Sequence, residues 1–150
     1  MTPRQFLDVA YELLEGAHEG HWRTAVSRAY YVAFHAARLL FVQFGFVVPR
    51  EQKAHKYLMM RLQNSKHPEV VEAGVWLDNL RDSRNLADYD IDDPYEHGHA
   101  VARVDRAAES VRLLEEAAAL PVVCERVTEA MRTYERDVLR DVTWREAGSR

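Results

Sequence analysis

Residues 24–46 read TAVSRAYYVAFHAARLLFVQFGF, and this run constrains the fold more than any other part of the chain. It is apolar on nearly every side, and small residues recur along it at helical spacing: Ala25, Ala29, Ala33, then Ala36 and Ala37. Small side chains let neighbouring helices approach closely, and a helix without a wet face belongs at the centre of a helical protein. Ser27, Arg28, His35 and Arg38 nevertheless ride on it. Polar and charged groups in such a helix need partners, so they are either satisfied core residues or the start of a site.

A chain of 150 residues can bury one substantial core. Glycine (6) and proline (5) are few and fall mostly between periodic segments, which favours helices over a many-turned β fold. The apolar run approaches membrane-spanning length, but His35, Arg38 and Gln43 interrupt it and amphipathic segments surround it, so it reads as core and not as a membrane span. The net charge of -4 gives no global reason to bind nucleic acid, and any such binding needs a local patch. Cys124 is the single cysteine, which rules out a disulfide framework within the chain. With an acid-bearing, amphipathic N-terminus unlike a signal peptide, the expected compartment is the cytoplasm.

Taken in order, the periodicity predicts a first helix opened by Thr2, with Pro3 at its first position, Gln5 completing a capping box, and Phe6, Ala10, Leu13, Leu14 and Ala17 as its apolar stripe. A second helix runs to about residue 45, and a third covers 50–64 with Ala54, Leu58 and Leu62 inward. A fourth covers 68–89, where the inward line Ala73, Leu77, Leu80, Ala87 is interrupted by Arg84. Asp93, Pro94 and Glu96 have the pattern of a cap, a first-turn proline and an acidic third position, so a fifth helix is expected from there to about 119. Ala100, Val104, Ala107, Val111 and Leu114 form its core line. A last helical segment, 122–142, carries Val127, Met131, Tyr134 and Val138 on one side, and either closes the bundle or serves a partner. The expected fold is all-α, an up-and-down bundle of five to six helices, with 1–120 as the bundle and 121–150 as an additional C-terminal helix and short tail.

Two polar clusters stand out. Tyr31, His35 and Arg38 share a face of the second helix, and Arg84 and Asp88 lie one turn apart on the fourth. The ordinary reading is an intrahelical ion pair and a buried histidine bonded to a carbonyl or a tyrosine. The sharper reading is a shared cleft in which Arg84 grips a phosphate through its planar fork and His35 or Asp88 moves a proton. The third segment is locally basic, with Arg50, Lys53, Lys56, Arg61 and Lys66 against Glu51. It is a solvated face or, through Lys53, Lys56 and Arg61, a nucleic-acid backbone patch. His97 and His99 diverge on a helix, and His18 and His21 straddle a glycine turn, so no metal is expected. Phosphate-cradling glycine loops and nucleophile elbows are absent, and no cofactor is expected.

SRAYYVAFHAARLLF, residues 27–41, and LRDSRNLADYD, residues 80–90, together resemble the second and fourth helices of one branch of the HEPN superfamily. The likeness spans roughly residues 5–118. It rests on Tyr-Tyr and Phe-His-Ala-Ala in the first motif, and on Arg84 and Ala87-Asp88-Tyr89 in the second. The resemblance implies a helical bundle that often dimerises, with active members acting as metal-independent ribonucleases. In those members an arginine, often followed by a polar residue, precedes a histidine by four to six residues, and two copies meet across the dimer. Arg84-Asn85 matches the start of that pattern, but four residues beyond Arg84 stands Asp88, followed by Tyr89, Asp90 and Ile91. The resemblance also implies toxin members paired with minimal nucleotidyltransferases that modify a tyrosine near the motif, where Tyr89 stands here.

These readings lead to an expected HEPN-type module, homodimeric, binding RNA, a nucleotide or a protein partner through Tyr31, Arg38, Arg84, Asn85 and Tyr89. The alternatives are a ribonuclease toxin using Arg84 with Asp88 or His35, and a purely structural interaction domain.

Overall fold

The computed structural model describes residues 1–50 and 52–146. Thr2, in extended conformation, opens helix α1 (Pro3–Leu14), and its amide donates to the Gln5 side chain at 2.7 Å. Pro3 then occupies a position where no amide donor is required. There follow α2 (Glu19–Phe44), α3 (Gln52–Gln63), α4 (Pro68–Tyr89), α5 (His97–Ala119) and α6 (Pro121–Tyr134), and a single π-helical turn, Glu135–Leu139. Among the described residues this is an all-α bundle of six α-helices, and the one extended pairing is an isolated antiparallel bridge between Phe46 and Trp144. The chain forms two compact units: unit 1 is Met1–Ala36 with Trp76–Val111, and unit 2 is Ala37–Val75 with Arg112–Arg150.

In unit 1 the expected inward lines of α4 and α5 are buried, whereas of the line expected on α1 only Ala10 and Leu14 are, Phe6 and Leu13 being half-buried. Ala25 and Ala29 are fully covered, as are Leu80, Val104 and Ala107. Small residues on α2 carry this unit because a methyl group allows close approach of a neighbouring helix. On α1 the buried line is Leu7, Ala10 and Leu14, while Ala17 lies beyond the helix end and is exposed. Burying one leucine side chain contributes about 1.5–3 kcal/mol, so Leu7 is a substantial part of what holds α1 in place.

Unit 2 has Phe41, Leu58, Leu62, Val70, Val127 and Met131 in its core, together with one fully buried carboxylate, Glu135. Arg61 donates from Nε to that carboxylate at 2.8 Å, and the Thr143 amide donates to it at 2.9 Å. The Thr143 hydroxyl donates to the same group, and the Tyr57 hydroxyl bonds with Thr143. Gly74 on α4 packs against α3, where a Cβ would come within 2.7 Å of Leu62. Gly45 ends α2 at φ +98, in the left-handed region, and a Cβ there would meet the Trp144 indole nitrogen and the Arg145 carbonyl at 2.9 Å. The chain after Gly45 therefore lies directly against residues 143–145, with Val47 donating to the Thr143 carbonyl at 3.2 Å and Arg145 to the Gly45 carbonyl at 2.8 Å.

Two boundaries differ from the sequence expectation. α5 begins at His97 and not at Pro94, because the Asp93 carbonyl accepts from Arg23 and the Glu96 carbonyl takes the amides of His99 and Ala100. The final segment is not one helix. It widens to a π turn at Glu135, which carries that carboxylate to Arg61, and then reverses at Arg140 in left-handed conformation, φ 53. Val138, expected on the inner side, is 65% exposed as a result.

Removing one partner of a buried ion pair strands the other charge, at a cost of about 3–5 kcal/mol. Glu135→Ala is therefore expected to lower the unfolding free energy by about that amount in urea titrations. The double variant Arg61→Met/Glu135→Leu, with neither charge left, should be markedly more stable than Glu135→Ala alone.

Candidate functional site

Spacing on two helices of unit 1 builds the candidate site. Ser27, Tyr31 and His35 follow one another at four-residue intervals on α2, and Arg84 and Asp88 do the same on α4. The structure brings the two sets together. Arg84 Nε lies 3.0 Å from Asp88 Oδ2, Arg84 Nη1 donates to Asn85 Oδ1 at 3.2 Å, and Ser27 Oγ donates to Asp88 Oδ2 at 3.3 Å. The Arg84–Asp88 approach lies off the N–H direction, so it is a charge contact and Nε makes no hydrogen bond. Arg84 interrupts the apolar line of α4 because it serves this cluster.

Aromatic rings surround the guanidinium. Its central carbon lies 5.7 Å from the Tyr31 ring centroid and 5.7 Å from that of Tyr89, within cation–π range. Tyr89 is 73% exposed, so one face of the cluster opens to solvent. Arg28, three residues before Tyr31, lies 5.0 Å from the same Tyr31 ring and 5.6 Å from Phe6. His35 stacks on Phe6 at 5.6 Å and on Tyr31 at 6.3 Å, so Tyr31 is what links the imidazole to the arginine cluster.

Other expected members lie elsewhere. Arg38 falls in unit 2 and is half-buried. Lys53 and Lys56 are exposed on α3, also in unit 2. Arg61 corrects the expected basic patch: it is 3% exposed and neutralised by Glu135, so it presents no charge to a nucleic-acid backbone. His97 donates from Nε2 to the Leu14 carbonyl, 2.9 Å away, and packs edge-on against Trp22, which gives it a structural place at the end of α1. Among the described residues, no group of three or more His, Cys, Asp or Glu is placed to hold a metal ion. No helix among them is long and apolar enough to cross a membrane.

Sequence reasoning missed Arg23. One turn into α2 and 8% exposed, it donates to the carbonyls of Leu86 at 3.2 Å and Ala87 at 2.9 Å, and to that of Asp93. Its Nε donates to Glu19 at 2.7 Å. The last carbonyls of a helix have no partner within the helix, and this guanidinium supplies one. It thereby fixes the end of α4 that carries Asp88 and Tyr89. The available signal was the Glu19–Arg23 spacing, which looks like any exposed i,i+4 pair.

Tyr30, beside Tyr31 on α2, is buried, and burial pushes its hydroxyl from the ordinary 10.0 up to about 12, against the lowering effect of Arg81 and Arg84. Burial does the same to Tyr57 in unit 2, again to about 12, opposed by its Thr143 hydrogen bond and by Arg61.

A model of the HEPN domain matches residues 4–131 of the chain. No curated protein and no solved structure matches it.

Two expectations follow. Arg23→Ala should lower amide hydrogen-exchange protection near the end of α4 by about 10–100-fold, the loss of one or two charge-assisted hydrogen bonds. The raised tyrosines mean that the folded state holds its phenolic protons more tightly than the unfolded chain does. Their stabilisation is complete below pH 10 and is lost as the pH rises towards about 12. Urea denaturation across that window should show the decline, with a shallower slope for Tyr30→Phe or Tyr57→Phe.

Proposed function

The chain belongs to the HEPN domain family, and from that premise we propose that it is a homodimeric RNA-binding module in which Arg84 holds a phosphate and Tyr89 stacks on a base. The observation that carries this reading is the guanidinium of Arg84 set between Tyr31 and the largely exposed ring of Tyr89. A cation beside an open aromatic face suits single-stranded RNA, which offers a phosphate and an unstacked base one nucleotide apart. Arg28, on the other contact of Tyr31, adds a second positive charge. Leu86, Tyr89 and Ile91 are 56%, 73% and 70% exposed, and this apolar surface suits pairing with a second copy. The exposed Tyr89 also suits the nucleotidyltransferase partnership that the family resemblance implies.

Binding is favoured over cleavage by the identity of the residue paired with Arg84. Cleaving RNA by 2′-hydroxyl attack requires a group that takes one proton and a group that gives another to the leaving oxygen. An imidazole can take either part, whereas a carboxylate turns a negative charge towards the arriving phosphate. Asp88 is that carboxylate, and Ser27 and Arg84 hold it in place.

Fluorescence anisotropy with a labelled single-stranded RNA tests the proposal. Arg84→Ala should weaken binding by about tenfold or more, the value of a charge-assisted contact. Tyr89→Ala should weaken it by about 1–3 kcal/mol, as expected for one lost base stack, with little change in melting temperature. Unchanged affinity in both variants would overturn the proposal. Cleavage of mixed RNA in the presence of a chelator, abolished by Arg84→Ala, would establish the ribonuclease reading in its place.

A further inference from the structure

All residues lining a cavity of about 480 Å³ belong to unit 2, and the cavity lies within the range of about 300–1,000 Å³ usual for small-molecule sites. Val47, Pro49, Met60 and Leu139 make its walls apolar. Tyr57, Arg61 and Thr143 line it as well, and these are the residues tied to the buried Glu135 carboxylate. Because that carboxylate absorbs the Arg61 charge, the polar side of the cavity is rigid and close to neutral. Among the described lining residues, what remains charged is the exposed rim: Lys53 and Lys56, three residues apart on α3, with Asp141 as the acidic member.

We infer that this cavity binds a small amphipathic anion, with an apolar body against the Met60 and Leu139 walls and a carboxylate or phosphate head at Lys53 and Lys56. Each half of the description has its own support. The apolar walls gain from covering by an apolar body, which a bare inorganic ion does not supply. The two ammonium groups gain from an anionic head, which a neutral hydrocarbon does not supply. A nucleic-acid backbone is a poorer occupant, because a phosphate track needs a line of accessible cations, and the third member of the expected line, Arg61, is buried and paired.

The cavity also depends on residues outside the segment that the family model matches. Leu139, Asp141 and Thr143 follow residue 131, and they are held over α3 by the hydrogen bonds of Glu135 to the Thr143 and Trp144 amides, 2.9 and 3.2 Å, and by the Phe46–Trp144 bridge. The π turn and the reversal at Arg140 therefore form part of a binding wall. This inference stands on unit 2 alone and does not rest on the RNA-binding reading.

The test uses the full chain and the fluorescent probe 1-anilinonaphthalene-8-sulfonate, itself an aromatic body with an anionic head. The expected result is saturable binding at one site, with displacement by octanoate or octyl phosphate but not by octanol or inorganic phosphate at equal concentration. Preference between the first two competitors identifies the head group. Lys53→Gln/Lys56→Gln, which changes two exposed side chains, should raise the probe Kd by about tenfold or more at an unchanged melting temperature. Leu139→Trp should occlude the cavity and abolish binding, and Arg84→Ala should leave binding intact. Unchanged affinity in the lysine variant, or octanol competing as well as octanoate, would overturn the inference. Displacement by single-stranded RNA but not by octanoate would overturn it in favour of a nucleic-acid site.

Discussion

A guanidinium withdrawn from water must have its charge and its N–H groups satisfied by protein, and each compact unit of this chain contains one that meets that demand. In unit 1, Arg23 meets it with the carbonyls at the end of α4 and the Glu19 carboxylate. In unit 2, Arg61 meets it with the Glu135 carboxylate and the Tyr57 carbonyl, and it lies 3.6 Å over the Tyr57 ring. An unpaired buried charge costs far more than most single contacts contribute, so arrangements that leave either arginine unsatisfied are strongly disfavoured. Net stabilisation from such pairs is modest. Their consequence is selectivity for one arrangement of the chain around them.

That selectivity acts where the chain leaves its helices. Arg23 takes the Asp93 carbonyl, which keeps residues 94–96 out of α5 and fixes the chain just after Tyr89. Arg61 draws in Glu135, and a helix that continued regularly would not also deliver the Thr143 and Trp144 amides to the same carboxylate. The π turn and the left-handed Arg140 reconcile those contacts. In both cases a buried cation near a helix end determines the path of the following segment, and that segment lines a candidate binding surface.

The helices themselves were legible because burial periodicity is local information. Ala54, Leu58 and Leu62, like Ala100, Val104 and Ala107, are buried as their spacing implied, and α4 spans Pro68–Tyr89 as its proline and its stripe suggested. The meeting of Ser27 with Asp88, and of Tyr31 with Arg84, lay beyond periodicity, which carries no information about which helices face each other. Arg23 and Arg61 were illegible for a related reason. An arginine four residues after a glutamate, or among lysines, has the pattern of a solvated surface, and only a distant carbonyl or carboxylate reveals that it is buried. The proline at position 94 misled in the same way: it is compatible with a helix start, but the Arg23 contact outweighs that local preference.

Asp88 governs what the proposed Arg84 site can hold. Its carboxylate is neither adrift nor fully buried, since Ser27 donates to it from α2 and Arg84 lies beside it on α4. A histidine at this place would leave Arg84 without that counter-charge and free to meet a phosphate. With Asp88 present, a phosphate must share or displace the carboxylate's claim on the guanidinium, which lowers affinity for an isolated anion. A ligand that also stacks on Tyr89 recovers some of the difference through its base, because stacking does not compete with the ion pair. Under the RNA-binding proposal, the arrangement therefore favours molecules that carry an aromatic base and a phosphate together. Under the same proposal it gives little advantage to phosphate alone, because the Asp88 carboxylate already occupies the guanidinium.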